Sequence, residues 1–184
     1  MKSNDFAQKL NNDYFGIEFH RFVKIVTGLR GHGYCGEPLY PDARTNSGIT
    51  AVQVAHLLRV LALNYNPFSS EFHLQIAKVH TLRDYKGIYF TDELARLLRN
   101  PEEIKERGLM RVSFSQDRDS VVMVFCEPFF KQALKGTDIT HYVAKEQDQV
   151  FGESGLMKFE RFAILKQSAL LEIAALVNKN VLQQ

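Results

Sequence analysis

The sequence predicts an α+β fold, with a helical N-terminal half packed on a small antiparallel sheet and closed by a C-terminal helix. Three observations carry that expectation. Apolar residues recur at helical spacing through most of residues 1–108, the period drops to two in the β-rich stretch 109–165, and helical spacing returns over 166–184. A chain of 184 residues is expected to form one domain across 1–184.

The strongest single element is a helix over residues 50–65. Ala51, Val54, Ala55, Leu58, Leu61, Ala62 and Tyr65 make one helical stripe, and Val52, Leu57, Val60 and Leu63 widen it. Only Gln53, His56, Arg59 and Asn64 leave a polar strip. A helix this apolar is normally enclosed by neighbours. Its start carries a capping box, Thr50 with Gln53, flanked by a staple between Ile49 and Val54. Asn66-Pro67 stops it, because the residue before proline is pushed out of helical dihedrals.

Before it, residues 4–30 read as one or two helices with Phe15, Phe19, Phe22, Val23 and Val26 on one stripe. Gly16 is placed to bend them, and Gly28 or Gly31 to end them. His20, Arg21 and Lys24 share a side that meets solvent or a partner. After Pro67, Ser69 or Ser70 caps a helix whose inner face holds Phe72, Ile76, Val79 and Arg83 or Leu82. Ile88 to Phe90 reads as a short strand or buried link, and Thr91 as the cap of a third helix. Asn100 and Glu103 suggest a second capping box around Pro101, with Gly108 as the stop.

From Leu109 the texture changes. Met110, Val112 and Phe114 alternate with Arg111, Ser113 and Ser115, Asp117 to Asp119 form a turn, and Ser120 to Cys126 is apolar on both faces, as a central strand would be. Pro128 stops it, and Phe129 to Leu134 fits a helical turn. Ile139 to Ala144 fits a third strand, and Lys145 to Gly155 a polar loop. Met157 to Ile164 fits a fourth strand or the start of a helix. Leu170, Ile173, Ala174 and Val177 then face inward from a last helix.

Charge excludes the simplest nucleic-acid binders. The net charge is +2, with seven basic and five acidic residues in 1–66, eight and seven in 67–111, and eight and nine in 112–184. No segment is a basic arm. The two cysteines, Cys35 and Cys126, make no disulfide framework, and the opening residues lack the apolar core of a signal peptide. The expected compartment is the cytoplasm. No membrane association is expected, since helix 50–65 is too short and carries Arg59.

Catalytic patterns are absent. There is no G-x-x-x-x-G-K-[ST], no G-x-G-x-x-G after a strand and no G-x-S-x-G. His32 and Cys35 form an H-x-x-C pair without a second pair at metal spacing, so neither a metal nor a cofactor is expected. The helix pair 50–65 and 70–83 followed by a hairpin has the order of a winged helix-turn-helix. Its proline-containing joint, a second helix that presents Glu71, Gln75 and Lys78 and is not basic, and a hairpin tip acidic on balance argue against that.

The segment between Gly28 and Thr50 is the better contact candidate. It holds five of the eleven glycines, and its Arg30, His32 and Arg44 alternate with Tyr34 and Tyr40. Guanidinium and imidazole groups suit phosphates, while tyrosine rings stack on bases. Arg59 on the polar strip completes the set.

Gly28, Arg30, Gly31 and Gly33, then Thr50, Ala55, Leu57, Leu58, Leu61 and Ala62, resemble small uncharacterised proteins of phages and prophages. The close with Leu170, Leu171, Ile173 and Ala174 is similar too. About a third of the chain is covered, and no activity comes with the likeness. It implies a mobile-element origin and a regulatory or interaction role. The expected function is therefore non-enzymatic regulation by binding nucleic acid through the Gly/Tyr/Arg loop. The alternatives are a protein-binding regulator or inhibitor, as a monomer or homo-oligomer, and an unrecognised enzyme.

Overall fold

The computed structural model describes residues 8–31, 50–63, 66–84, 86–115, 120–126, 137–143 and 162–181. These form an α+β arrangement of helices on a four-stranded antiparallel sheet. The first helical element, α1 (Asn11–Phe15), is wound as a π-helix and ends at Gly16, whose φ of 60° is left-handed. Asn11 then closes the joint. Its side-chain amide donates to the Ile17 carbonyl at 2.8 Å and accepts from the Ile17 N–H at 3.0 Å. Gly16 thus makes the expected bend.

α2 (Phe19–Gly31) runs through Gly28, which terminates nothing. That glycine is instead a contact point. A Cβ there would lie 2.6 Å from Phe72 Cε1, so the missing side chain lets α4 (Phe72–His80) seat its first ring against α2. Ser69 Oγ accepts the Glu71 N–H at 3.2 Å just before α4. The expected inner residues Phe72, Ile76 and Leu82 are buried.

α3 (Ala51–Leu63) is the core helix. Its capping box is reciprocal: Gln53 Oε1 accepts the Thr50 N–H at 2.9 Å, and Thr50 Oγ1 accepts the Gln53 N–H at 3.3 Å. Ile49 and Tyr65 lie outside the described residues. Of the thirteen residues of α3, only Val52 and Gln53 keep partial exposure. It packs against α1, α2, α5 (Phe90–Arg99), β1 (Leu109–Ser115) and β4 (Phe162–Lys166).

Two expected caps are corrected. Thr91 sits inside α5 and is buried, while Tyr89 is the extended residue before the helix. Asp84 sets that entry, accepting the N–H groups of Lys86 (2.9 Å) and Ile88 (2.8 Å) in a tight turn through Gly87. Asn100 precedes α6 (Pro101–Glu106) without a side-chain cap. Its amide donates back to the Arg96 carbonyl at 3.1 Å, and Glu103 is drawn to Arg96 and Arg107. Ion pairing outcompetes the box. Gly108, with φ 62°, turns the chain into β1 as expected.

The sheet order is β3-β2-β1-β4, with β2 (Ser120–Cys126) and β3 (Thr137–Val143). β2 is internal, as its two apolar faces predict. The alternation expected in β1 breaks at its start. A register shift between Leu109 and Arg111 leaves Met110 as an extra residue, so Leu109 is buried and Met110 exposed. Val112, Phe114, Val121, Met123, Tyr142 and Leu165 share the buried face. α7 (Gln167–Val181) follows β4 directly and buries Leu170, Ile173, Ala174 and Val177 as predicted. The Asp117–Asp119 turn, the helical turn at 129–134 and the 145–155 loop lie outside the described residues.

Phe90 joins the layers. Its ring meets Phe114 edge-on at 5.8 Å and Tyr142 at 5.3 Å. At the rim, Glu93 takes hydrogen bonds from Arg96 and Arg107, and Arg107 lies 4.5 Å over the Phe125 ring. Burial alone would push the Glu93 carboxyl up. The hydrogen bonds and charges of the two arginines outweigh it and hold its pKa below the usual range. A depressed carboxylate stabilises the fold above its unfolded-state pKa of about 4.3, and that contribution is lost as pH falls through the folded value.

Two outcomes follow from this packing. Glu93→Gln is expected to unfold at lower urea than the parent at pH 7, with the gap closing as pH drops below about 4. Gly28→Ala should cost roughly 1 kcal/mol net, overpacking against Phe72 exceeding the helix-propensity gain. Gly31→Ala, with open space around it, should be neutral or better in the same urea titrations.

Candidate macromolecule interface

Of the six residues expected to touch a partner, Arg59 is the one whose side chain lies among the described residues. Arg30 occupies the last turn of α2, and the placement of its side chain lies outside the description. His32, Tyr34, Tyr40 and Arg44 also lie outside the described residues. Both anchors of their segment are described, and both Gly31 and Thr50 are exposed. One anchor is held by the Gly28–Phe72 contact and the other by the Thr50–Gln53 capping box.

Arg59 is a correction. It was expected on a polar strip facing a partner, yet its exposure is 0 % and it ranks first by volume among the fully buried side chains. His56, on the same strip, is buried too. At His56 and Arg59 the strip has no solvent side, because α3 packs against α1, α2, α5 and the sheet.

A surface that sequence reading only half saw lies on α2. Phe22, Ile25, Val26 and Leu29 turn inward, while Phe19 (64 % exposed) and Val23 (43 %), expected on the same stripe, turn out. His20, Lys24, Thr27 and Gly31 are exposed at helical spacing beside them. The His20 ring lies 5.6 Å from that of Phe68, itself 56 % exposed, and His20 Nδ1 sits 2.8 Å from Glu18 Oε1. The sequence signal was the cluster of His20, Arg21 and Lys24. The outward turn of Phe19 and Val23 had none, since either edge of an apolar stripe can be the one that is covered.

A concavity of about 460 Å3 opens where the α1–α2 joint faces β4. Tyr14, Phe15, Ile17, Glu18 and Arg21 line it from the joint and the start of α2, Leu61 and Ala62 from α3, and Ala163 to Leu165 from β4. Tyr14 donates to Glu172 Oε2 at 2.6 Å. Burial, then that hydrogen bond and the carboxylate charge, push the phenol well above its ordinary pKa, so it stays neutral and serves to pin α1 to α7. Among the described residues, no three His, Cys, Asp or Glu side chains stand together as metal ligands. None of the described helices is long and apolar enough to cross a membrane.

Compared with protein-family models, curated proteins and solved structures, the chain matches none.

Since Arg59 is a core residue, Arg59→Ala should act on folding. A loss of roughly 2–5 kcal/mol is expected, the range for large-to-small core changes. Lys24→Ala, on the surface, should stay within about 0.5 kcal/mol. Paired thermal and urea unfolding of the two variants checks this.

Proposed function

We propose that this chain is a non-enzymatic regulatory protein of phage or prophage type that works in the cytoplasm by binding nucleic acid. In this reading the segment from Arg30 to Arg44 makes the contact, aided by the exposed side of α2. One observation carries it. The exposed row His20, Lys24, Thr27 and Gly31 leads along α2 directly into that segment. The Lys24 ammonium on the helix would then sit on a phosphate, beside arginines and tyrosines suited to phosphate and base stacking. The phage attribution rests on the sequence resemblance alone.

A second reading, a protein partner, is favoured by one specific feature. Phe19, Val23 and Phe68 are exposed on or beside the same helix. Apolar side chains do little for phosphate but serve as anchors at protein interfaces.

Salt separates the two. Against a randomised DNA or RNA pool, affinity should fall steeply from 50 to 200 mM salt. Arg30→Ala with Arg44→Ala should weaken binding and flatten the log–log slope by about 1–2. Absence of pool binding at 50 mM salt defeats the nucleic-acid reading. A salt-insensitive complex with a host protein, lost on Phe19→Ala or Tyr34→Ala, establishes the second.

A further inference from the structure

We propose that α1 and the Gly16 joint form a gate on the cavity they line, held shut by the hydrogen bond from Tyr14 to Glu172. The inference is independent of both readings above, because it concerns access to the interior and not what α2 touches.

Tyr14, Phe15, Gly16 and Ile17 stand on one side of that cavity. Leu61 and Ala62 line it from α3, yet they are 2 % and 1 % exposed. Solvent therefore scarcely reaches the α3 side, and a solute bound there needs a wall to move. α3 is the core helix, covered along most of its length, and β4 is bonded to β1 from Phe162↔Ser115 to Lys166↔Arg111. Moving either would break the core or the sheet.

α1 is built to move at lower cost. It is five residues of π-helix, a geometry used in short pieces and frequent at functional sites. A Cβ at Gly16 would meet nothing within 4 Å, so the joint is not packed in place, and Tyr14, Phe15 and Ile17 are half-buried. Leu10 seats the segment in the core, which keeps the closed form dominant. The Asn11 side chain bonds Ile17, so that clasp lies within the segment itself. Tyr14 instead reaches out of it, donating to Glu172 on α7 at 2.6 Å. Glu172 is exposed, so water takes over both partners when the bond opens. Such a bond holds a segment closed without making its release prohibitive.

The test uses the full chain carrying Ala62→Cys and iodoacetamide. Peptide mass follows residue 62 separately from Cys35 and Cys126. Tyr14→Phe should speed labelling at residue 62 by roughly threefold or more, the worth of one hydrogen bond. Glu172→Ala should do the same. The double variant should label no faster than either single one, because the same bond is lost in all three. Amide exchange in the chain with its own Ala62 gives a second reading that does not depend on the new cysteine. The amides of Gly16 and Ile17 both donate to Asn11. Corrected for intrinsic rates, they should exchange about a hundredfold faster than the Leu58 amide in α3, with little response to low urea, as a local opening does. Tyr14→Phe should speed them further. The gate is overturned if neither single variant changes the rates, or if their effects multiply in the double variant. It is also overturned if the Gly16 and Ile17 amides exchange only as slowly as Leu58, since α1 would then open with the whole fold.

Discussion

Enclosure of α3 is the constraint on which the rest of the structure depends. Its side chains are apolar nearly all round, so no orientation of the helix in water is acceptable, and neighbours must cover every side. α2 and α1 cover one flank, α5 another, and β1 and β4 the third. The order of elements along the chain follows from this requirement. Helices supplied before and after α3 wrap it, and the sheet is laid underneath. The same enclosure draws Arg59 and His56 inside with their apolar neighbours. Burying a cationic side chain costs free energy unless it is compensated, and neither Arg59 nor His56 is without an interaction partner.

Around this axis, two devices lock the layers. Phe90 contributes ring contacts to two strands at once, and it can do so because Asp84 and Gly87 shape the turn that aims the start of α5 at the sheet. At the rim, Glu93, Arg96, Glu103 and Arg107 neutralise one another while joining α5 and α6 to β2 through Phe125. These charges are engaged internally, whereas His20, Lys24 and Thr27 on the polar side of α2 are exposed.

Elements with strong local chemistry were legible in the sequence. The Thr50–Gln53 box, the stop at Gly108, the bend at Gly16, the central position of β2 and the inward face of α7 all depend on residues close together in the chain. Where local and long-range chemistry competed, local reading failed. Glu103 abandoned Asn100 for two arginines, one of them seven residues back in another helix. Of the two glycines placed to end α2, Gly31 does so, while Gly28 is a place where Phe72 needs room. Alternation alone put Met110 inside β1, because a one-residue bulge leaves no mark on the hydrophobic pattern.

By itself, then, the order of residues determined the class of the fold, the position of its main helix and the caps that begin and end several elements. These rest on periodicity and on hydrogen bonds spanning three or four residues. Tertiary structure alone decided which sides those elements expose: Arg59 inward, Phe19 and Val23 outward, β4 at the margin. Exposure is set by what packs against a residue, and the neighbours that cover or uncover these positions come from distant parts of the chain.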